Sequence, residues 1–276
     1  LENQRIISFY KHYDGETIVE YLGEHVGEMI KSVDIESKTV VFGEELLKQV
    51  IKSTSVTGLD ISYYDILYAS IVFHDIGKAF YREQVKQAIK KQGTAVFSGH
   101  EIISAIILEE LFKTLEYMHP SKYSIKLIKP ALFAVLFHHH ALSIRKRIKS
   151  HILQQITRTN QDSINETITE IIEELKPITK NNSFTNTLLN QLKETAPKIK
   201  MILRDTTRKY YEIREELIRT LMRTKETCLK KLMYLTLTTL ITLDYEAARK
   251  TRKQEPTTFG KMCSQWRKHY LEQNLF

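Results

Sequence analysis

Residues able to hold a divalent cation recur along this chain of 276 residues, and the sharpest group is His74-Asp75-Ile76-Gly77-Lys78. Adjacent His and Asp side chains at a helix end can both turn inward. The carboxylate then holds one or two cations, the imidazole adds a neutral nitrogen, and Gly77 permits close backbone approach. On its own the pair also reads as a buried His beside a capping Asp. His100 opens an apolar periodic stretch after Ser98 and Gly99, and His138, His139 and His140 follow the apolar run ALFAVLF. Three polar rings in that place need partners for their nitrogens. His25 stands in YLGEHVGEM, three residues before Glu28, and Asp244 interrupts LTTLITLDYEAA. A carboxylate on an apolar helix is costly without a cation or several donors. These separated segments offer nitrogen and oxygen and no sulfur. Such a set suits Mg, Mn, Ni, Co or Fe better than a closed cysteine-rich zinc site.

The elements that must position these residues are helical. None of the nine glycines falls between His100 and Phe259, and prolines number five. That profile opposes a doubly wound α/β domain and predicts an all-α bundle with a long basic C-terminal helical region and at most a minor β element. Apolar spacing predicts helices over 60–73, 100–112 and 129–148, the last with Pro130 in its first turn. Residues 157–190 are rich in Thr, Asn and Ser. Ile164, Ile168, Ile171, Ile172 and Leu175 keep a helical stripe there, so a short helix between polar loops is expected, an insertion over the site. Two basic amphipathic helices are expected over 201–252, with a break near 224–231. The tail at 250–276, with Pro256 and Trp266, reads as a docked helical appendage, and VVF at 40–42 as the one short strand. The whole chain, 1–276, reads as one domain.

Two cysteines, Cys228 and Cys263, cannot build a disulfide framework, which indicates a reducing compartment. No run of 18 apolar residues occurs, and the opening LENQRIISFY has neither an initiator Met nor a signal-type apolar run. The expectation is a trimmed, cytoplasmic chain with no membrane partner.

The pattern resembles the HD superfamily of metal-dependent phosphohydrolases. Within it the closest likeness is to the HD nuclease domain of the CRISPR-associated Cas3 proteins, standing alone without the helicase. The residues that carry the likeness are His25, HDIGK at 74–78, the His100 of SGHE, the His138-His139 of LFHH and the Asp244 of LDYEAAR. The resemblance implies two divalent metal ions bridged by Asp75. It places His25, His74 and Asp244 around the first, and His100, His138 and His139 around the second. His74 and Asp75 are then also the catalytic core. In the family the double His is usually followed by Gly, where this chain has His140, so the metal-binding pair is either His138-His139 or His139-His140; with the first pair, His140 is a supporting or core residue. Lys78 contacts a substrate phosphate or forms a structural ion pair.

Substrate class rests partly on charge. Of 41 basic and 33 acidic residues, the first 200 positions hold 25 against 24 and the last 76 hold 16 against nine, so seven of the eight excess charges lie beside Asp244 in sequence. Lys122, Lys126, Lys129 and Arg145-Lys146-Arg147-Lys149 flank the double His, and Arg204, Arg208, Lys209, Arg214, Arg219 and Arg223 precede Asp244. Such a route suits single-stranded nucleic acid, although interleaved Glu212, Glu215 and Glu216 also fit a solvated helical face. The leading expectation is a nuclease cutting single-stranded DNA, with RNA or branched substrates in the same class. The resemblance places it in CRISPR interference, with a separate Cas3 helicase subunit and an RNA-guided surveillance complex as partners. The alternatives are an HD-type nucleotide or cyclic-nucleotide phosphohydrolase and a non-catalytic nucleic-acid-binding module.

Overall fold

The computed structural model describes residues 5–53, 61–139, 160–223, 225–252 and 255–272. The chain opens with a hairpin, β1 (Ile7–Tyr13) antiparallel to β2 (Glu16–Tyr21). Asp14 and Gly15 turn it with positive φ values of 49° and 80°, the left-handed pair that a two-residue hairpin turn requires. Next come α1 (Leu22–Lys31), α2 (Lys38–Lys52) and α3 (Tyr63–Phe73). A 3-10 turn (Ile76–Tyr81) leads to α4 (Arg82–Lys90), α5 (His100–Met118) and α6 (Ile125–Phe137). The remainder comprises α7 (Gln161–Thr179), α8 (Ser183–Leu203), α9 (Thr206–Arg223), α10 (Thr227–Thr251) and α11 (Thr258–Tyr270). The fold is therefore a helical bundle with a two-stranded β element, as expected. Among the described residues no helix is long and apolar enough to cross a membrane.

α3 is the central helix, with nine of its eleven residues buried. A capping box starts it: Asp65 N donates to Ser62 Oγ at 3.0 Å and Ser62 N to Asp65 Oδ2 at 3.0 Å, satisfying two otherwise orphaned donors. α10 packs on α6, α2, α1 and α3, while α5 lies between α6 and α8. The aliphatic face of α10, with Leu232, Met233, Leu240 and Leu243, joins Ile66, Ile71, Ala131 and Val135 in one core.

The VVF segment at 40–42 is helical, not a strand. Ser37 caps α2, and Val40, Leu46, Leu47 and Val50 fall on one helical face. Tyr63 lies so close that a Cβ on Gly43 would sit 2.1 Å from its ring. The strands lie instead at the start of the chain, on either side of the Asp-Gly turn at 14–15.

The expected loops around the Ile164–Leu175 stripe are helical as well. α7 and α8 are 19 and 21 residues long, joined by a tight turn and packed face to face. Asn160 and Asn182 cap them. Hydroxyls of Thr167, Thr187 and Thr195 donate to carbonyls four residues back; polar content is thus absorbed within helices. Residues 157–159 lie outside the described residues. α6 ends at Phe137, and positions 140–148 of the expected helix also fall outside. The break expected near 224–231 lies between Arg223 and Thr227, and α11 is the docked tail helix, with Leu271 in the core.

One long-range contact fixes the start of α1, which has no side-chain cap of its own. Glu174 on α7 accepts from Ile6 N at 2.6 Å and Gly23 N at 2.7 Å, taking up a donor of the first helical turn. A Cβ at Gly23 would meet Glu174 Cγ at 2.9 Å. Each charged hydrogen bond contributes about 1.5–3 kcal/mol. Glu174→Ala is therefore expected to lower unfolding stability by about 3 kcal/mol, read as the shift in urea midpoint at constant slope. An unchanged midpoint would show that hairpin and helix are held by other contacts.

Candidate metal centre

α1, α3, α5, α6 and α10 converge on Asp75, which is fully buried at the junction between α3 and the 3-10 turn. Its two oxygens face different neighbours. Oδ2 lies 3.3 Å from His74 Nε2, 4.0 Å from His25 Nε2 and 2.5 Å from Lys78 Nζ. Oδ1 lies 2.8 Å from His100 Nε2 and 3.8 Å from His138 Nε2. Asp244 Oδ1 closes the first group, 3.1 Å from His25 Nε2 and 3.9 Å from His74 Nε2. His139 joins the second, its ring 5.1 Å from that of His100 and 4.0 Å from that of His138.

Two clusters result, one of His25, His74, Asp75 and Asp244, the other of Asp75, His100, His138 and His139. Within each, one potential ligand atom per residue lies within 4.8 Å of the others. All seven residues expected to hold metal are thus brought together. The alternative ligand His140 lies outside the described residues, as does the basic group at 145–149.

Local structure aims the rings. His74, His100 and His138 each donate through Nδ1 to the carbonyl three residues earlier: Ile71 O at 2.7 Å, Phe97 O at 2.6 Å and Val135 O at 2.8 Å. A carbonyl only accepts, so Nδ1 carries the proton and a neutral ring presents a bare Nε2 to the centre. Gly99, at φ 90°, turns the chain into α5. Gly77 lets the 3-10 turn abut that helix, with Gly77 N donating to Ser104 Oγ at 2.9 Å. A Cβ there would fall 2.1 Å from His100 O.

Nε2 of His74, His100 and His138 and Oδ1 of Asp75 are buried without a hydrogen-bond partner. Leaving several such atoms unsatisfied is costly, and divalent cations would satisfy all four together. The residues therefore fit the metals that the sequence implied. No cysteine joins the clusters, in keeping with hard or borderline cations.

Charge in the centre is strongly coupled. Burial opposes ionisation of Asp75, but His74, Lys78 and His100 hold it well below the usual carboxylate range. Asp244 is depressed likewise, against burial, by its bond to His25. Burial pushes the His74 ring down, and burial with His138 and His100 lowers His139, which favours the neutral, ligating form. His25 and His138 differ: despite burial, bonds to Asp244 and Glu20 push His25 up to about 9, and the Asp75 carboxylate raises His138.

Lys78 is buried against Asp75 and Phe97, with Nζ 5.7 Å from the ring centre; it is an ion-pair partner of the shared carboxylate. Asp244 keeps 19% of its side chain exposed and His139 is half-buried. Among the described residues, these two ligands face the way in.

An all-helical site in which two His/Asp clusters share one Asp is suited to two divalent metal ions. The family model of the HD domain matches residues 61–178, and the chain carries an HD domain of the metal-dependent phosphohydrolase superfamily over that span. The match includes His74, Asp75, Lys78, His100, His138 and His139. His25 and Asp244 lie outside it, and the fold brings them in. The match does not separate CRISPR-associated nucleases from other HD phosphohydrolases. No curated protein and no solved structure matches the chain.

Proposed function

We propose that the protein is a metal-dependent phosphodiesterase whose centre is Asp75 and the six ligands around it. The observation that carries this reading is the set of buried, unpartnered nitrogens and oxygen aimed into two adjoining clusters. Bound divalent cations would supply Lewis acidity toward a phosphoryl oxygen and toward an attacking water.

The chain's own residues supply the rest. Asp75 offers one oxygen to each cluster. The carbonyls of Ile71, Phe97 and Val135 fix three ring orientations. Lys78 holds Oδ2 of Asp75 in place and keeps the carboxyl ionised. The burial of His74 and Asp75 confines the phosphate to the side of Asp244 and His139.

Two substrate readings follow from different observations. A nucleotide or cyclic nucleotide is favoured by the pairing of many basic side chains. Lys126 meets Glu226, Lys129 meets Glu216, Arg208 meets Asp205, Lys209 meets Glu212 and Arg252 meets Glu20. Single-stranded DNA is favoured by the charge excess in the last 76 residues. Exposed pairs contribute only ~0–1 kcal/mol and can yield to phosphates. On this second reading the chain works beside a separate helicase subunit and an RNA-guided complex.

The deciding assay presents the purified protein, with Mn2+ and then with Mg2+, with cyclic nucleotides, mononucleotides, single-stranded DNA, RNA and duplex DNA. Metal-dependent release of a cleaved phosphodiester, abolished by chelation, is expected. Cleavage of strands alone selects the nuclease, and cleavage of small nucleotides alone selects the nucleotide enzyme. Turnover that persists after chelation would remove the metal centre from the reaction.

A further inference from the structure

Glu20 belongs to neither cluster and lies outside the matched segment, yet it is 1% exposed and bonded to a candidate ligand. It sits on β2, and its Oε1 accepts from His25 Nδ1 at 3.0 Å. His25 is thus set apart from His74, His100 and His138, whose Nδ1 protons go to backbone carbonyls. A buried carboxylate is tolerated only when its lone pairs are taken up, and here both oxygens are engaged. Thr251 Oγ1 also donates to Oε1, while Arg252 donates to Oε2 from Nη2 at 2.9 Å and from Nε at 3.3 Å. Arg252 is in turn seated over the Phe9 ring, 3.9 Å from its centre.

Asp244 and Thr251 are seven residues apart on α10, two turns, and so share a face. Asp244 Oδ1 meets Nε2 of His25, and Thr251 with Arg252 reaches Nδ1 through Glu20. One helix therefore grips both nitrogens of a ring that belongs to α1.

We infer that Glu20 is the positioning residue of the cluster formed by His25, His74, Asp75 and Asp244, and that Thr251 and Arg252 hold Glu20 for that task. A carboxylate on Nδ1 fixes the ring plane and raises the donor strength of Nε2, as a backbone carbonyl does less strongly. The two clusters are thereby made unequal, and only one depends on the hairpin. This inference rests on the reading of the clusters as metal sites.

The test is Mn2+ titration by calorimetry of the full chain and of Glu20→Gln, Glu20→Asp, Glu20→Ala and Arg252→Met. The unaltered protein is expected to take two Mn2+ ions. Glu20→Gln, nearly isosteric, is expected to weaken one of them roughly 10- to 100-fold and leave the other unchanged. Glu20→Asp recovers part of the loss, and Arg252→Met gives a smaller loss at the same ion. In the Co2+-loaded protein, proton NMR adds a readout independent of affinity: Glu20→Gln shifts the exchangeable ring proton of one histidine and leaves the others in place.

Two unchanged ions in Glu20→Gln, or two ions weakened alike, would overturn the positioning role while leaving the metal centre standing. Failure of the unaltered protein to bind either Mn2+ or Co2+ would overturn the metal reading, and the role of Glu20 with it.

Discussion

Replacing Asp75 by Asn is expected to remove both cations from the proposed centre and to lower turnover about a thousandfold or more. Its two oxygens are divided, Oδ2 toward His25 and His74, and Oδ1 toward His100 and His138; among the described residues no other belongs to both clusters. Metal-ion catalysis is worth several kcal/mol, and about 4 kcal/mol is about three powers of ten in rate. Asp244→Asn, which touches one cluster only, should retain one ion. Metal stoichiometry of the two variants, measured beside steady-state rates, makes the comparison. An Asp75→Asn protein that still binds two ions would remove Asp75 from its shared position. The same substitution strips Lys78 of its buried partner, and an uncompensated buried charge costs about 3–5 kcal/mol. The melting temperature of Asp75→Asn is therefore expected to fall even in chelator.

Gly77→Ala should be nearly as damaging, by a different route. Its Cβ would stand 2.1 Å from the carbonyl oxygen and 2.9 Å from the carbonyl carbon of His100. These are backbone atoms at the head of a buried helix and cannot swing aside. Overpacking of this kind costs about 1–3 kcal/mol, and relief requires α5 to move away from the 3-10 turn. That motion carries His100 away from Asp75, so the ion of the second cluster is expected to be lost before that of the first. Gly27→Ala is the matched control, since nothing among the described residues lies within 4 Å of a Cβ there. In the middle of α1 it should raise stability by about 0.5–1 kcal/mol. Denaturant midpoints and Mn2+ stoichiometry of the pair measure both effects. Equal stability of the two variants would show that the contact at Gly77 relaxes freely.

The ligand set was legible in the sequence because chemistry betrays it: polar rings after ALFAVLF and an Asp within LTTLITL have no cheap apolar explanation. The central helix was legible from its apolar spacing. Glu20 was not, because a single Glu in ETIVEY looks like any solvated strand residue, and its partner Arg252 lies 232 positions away. The hairpin escaped notice although Asp14-Gly15 announced it. VVF resembles a strand because three β-formers in a row conceal the longer helical spacing of Val40, Leu46, Leu47 and Val50. The Thr- and Asn-rich stretch after 160 misled for a related reason: cap residues and back-bonding hydroxyls look like loop composition until the Ile stripe beneath them is extended in both directions.

The clusters also differ in how far apart along the chain their members lie. Asp75, His100, His138 and His139 fall within 64 positions of one another, whereas His25 and Asp244 are separated by 219. Closing the longer loop costs more chain entropy, and contacts at such separation form late. During synthesis every residue of the second cluster has been added before α10 is made. The first cannot exist until Asp244 has emerged and α10 has docked on α1. On the two-metal reading, the cation site of the first cluster is therefore expected to be the last to form, when the last long helix closes the fold.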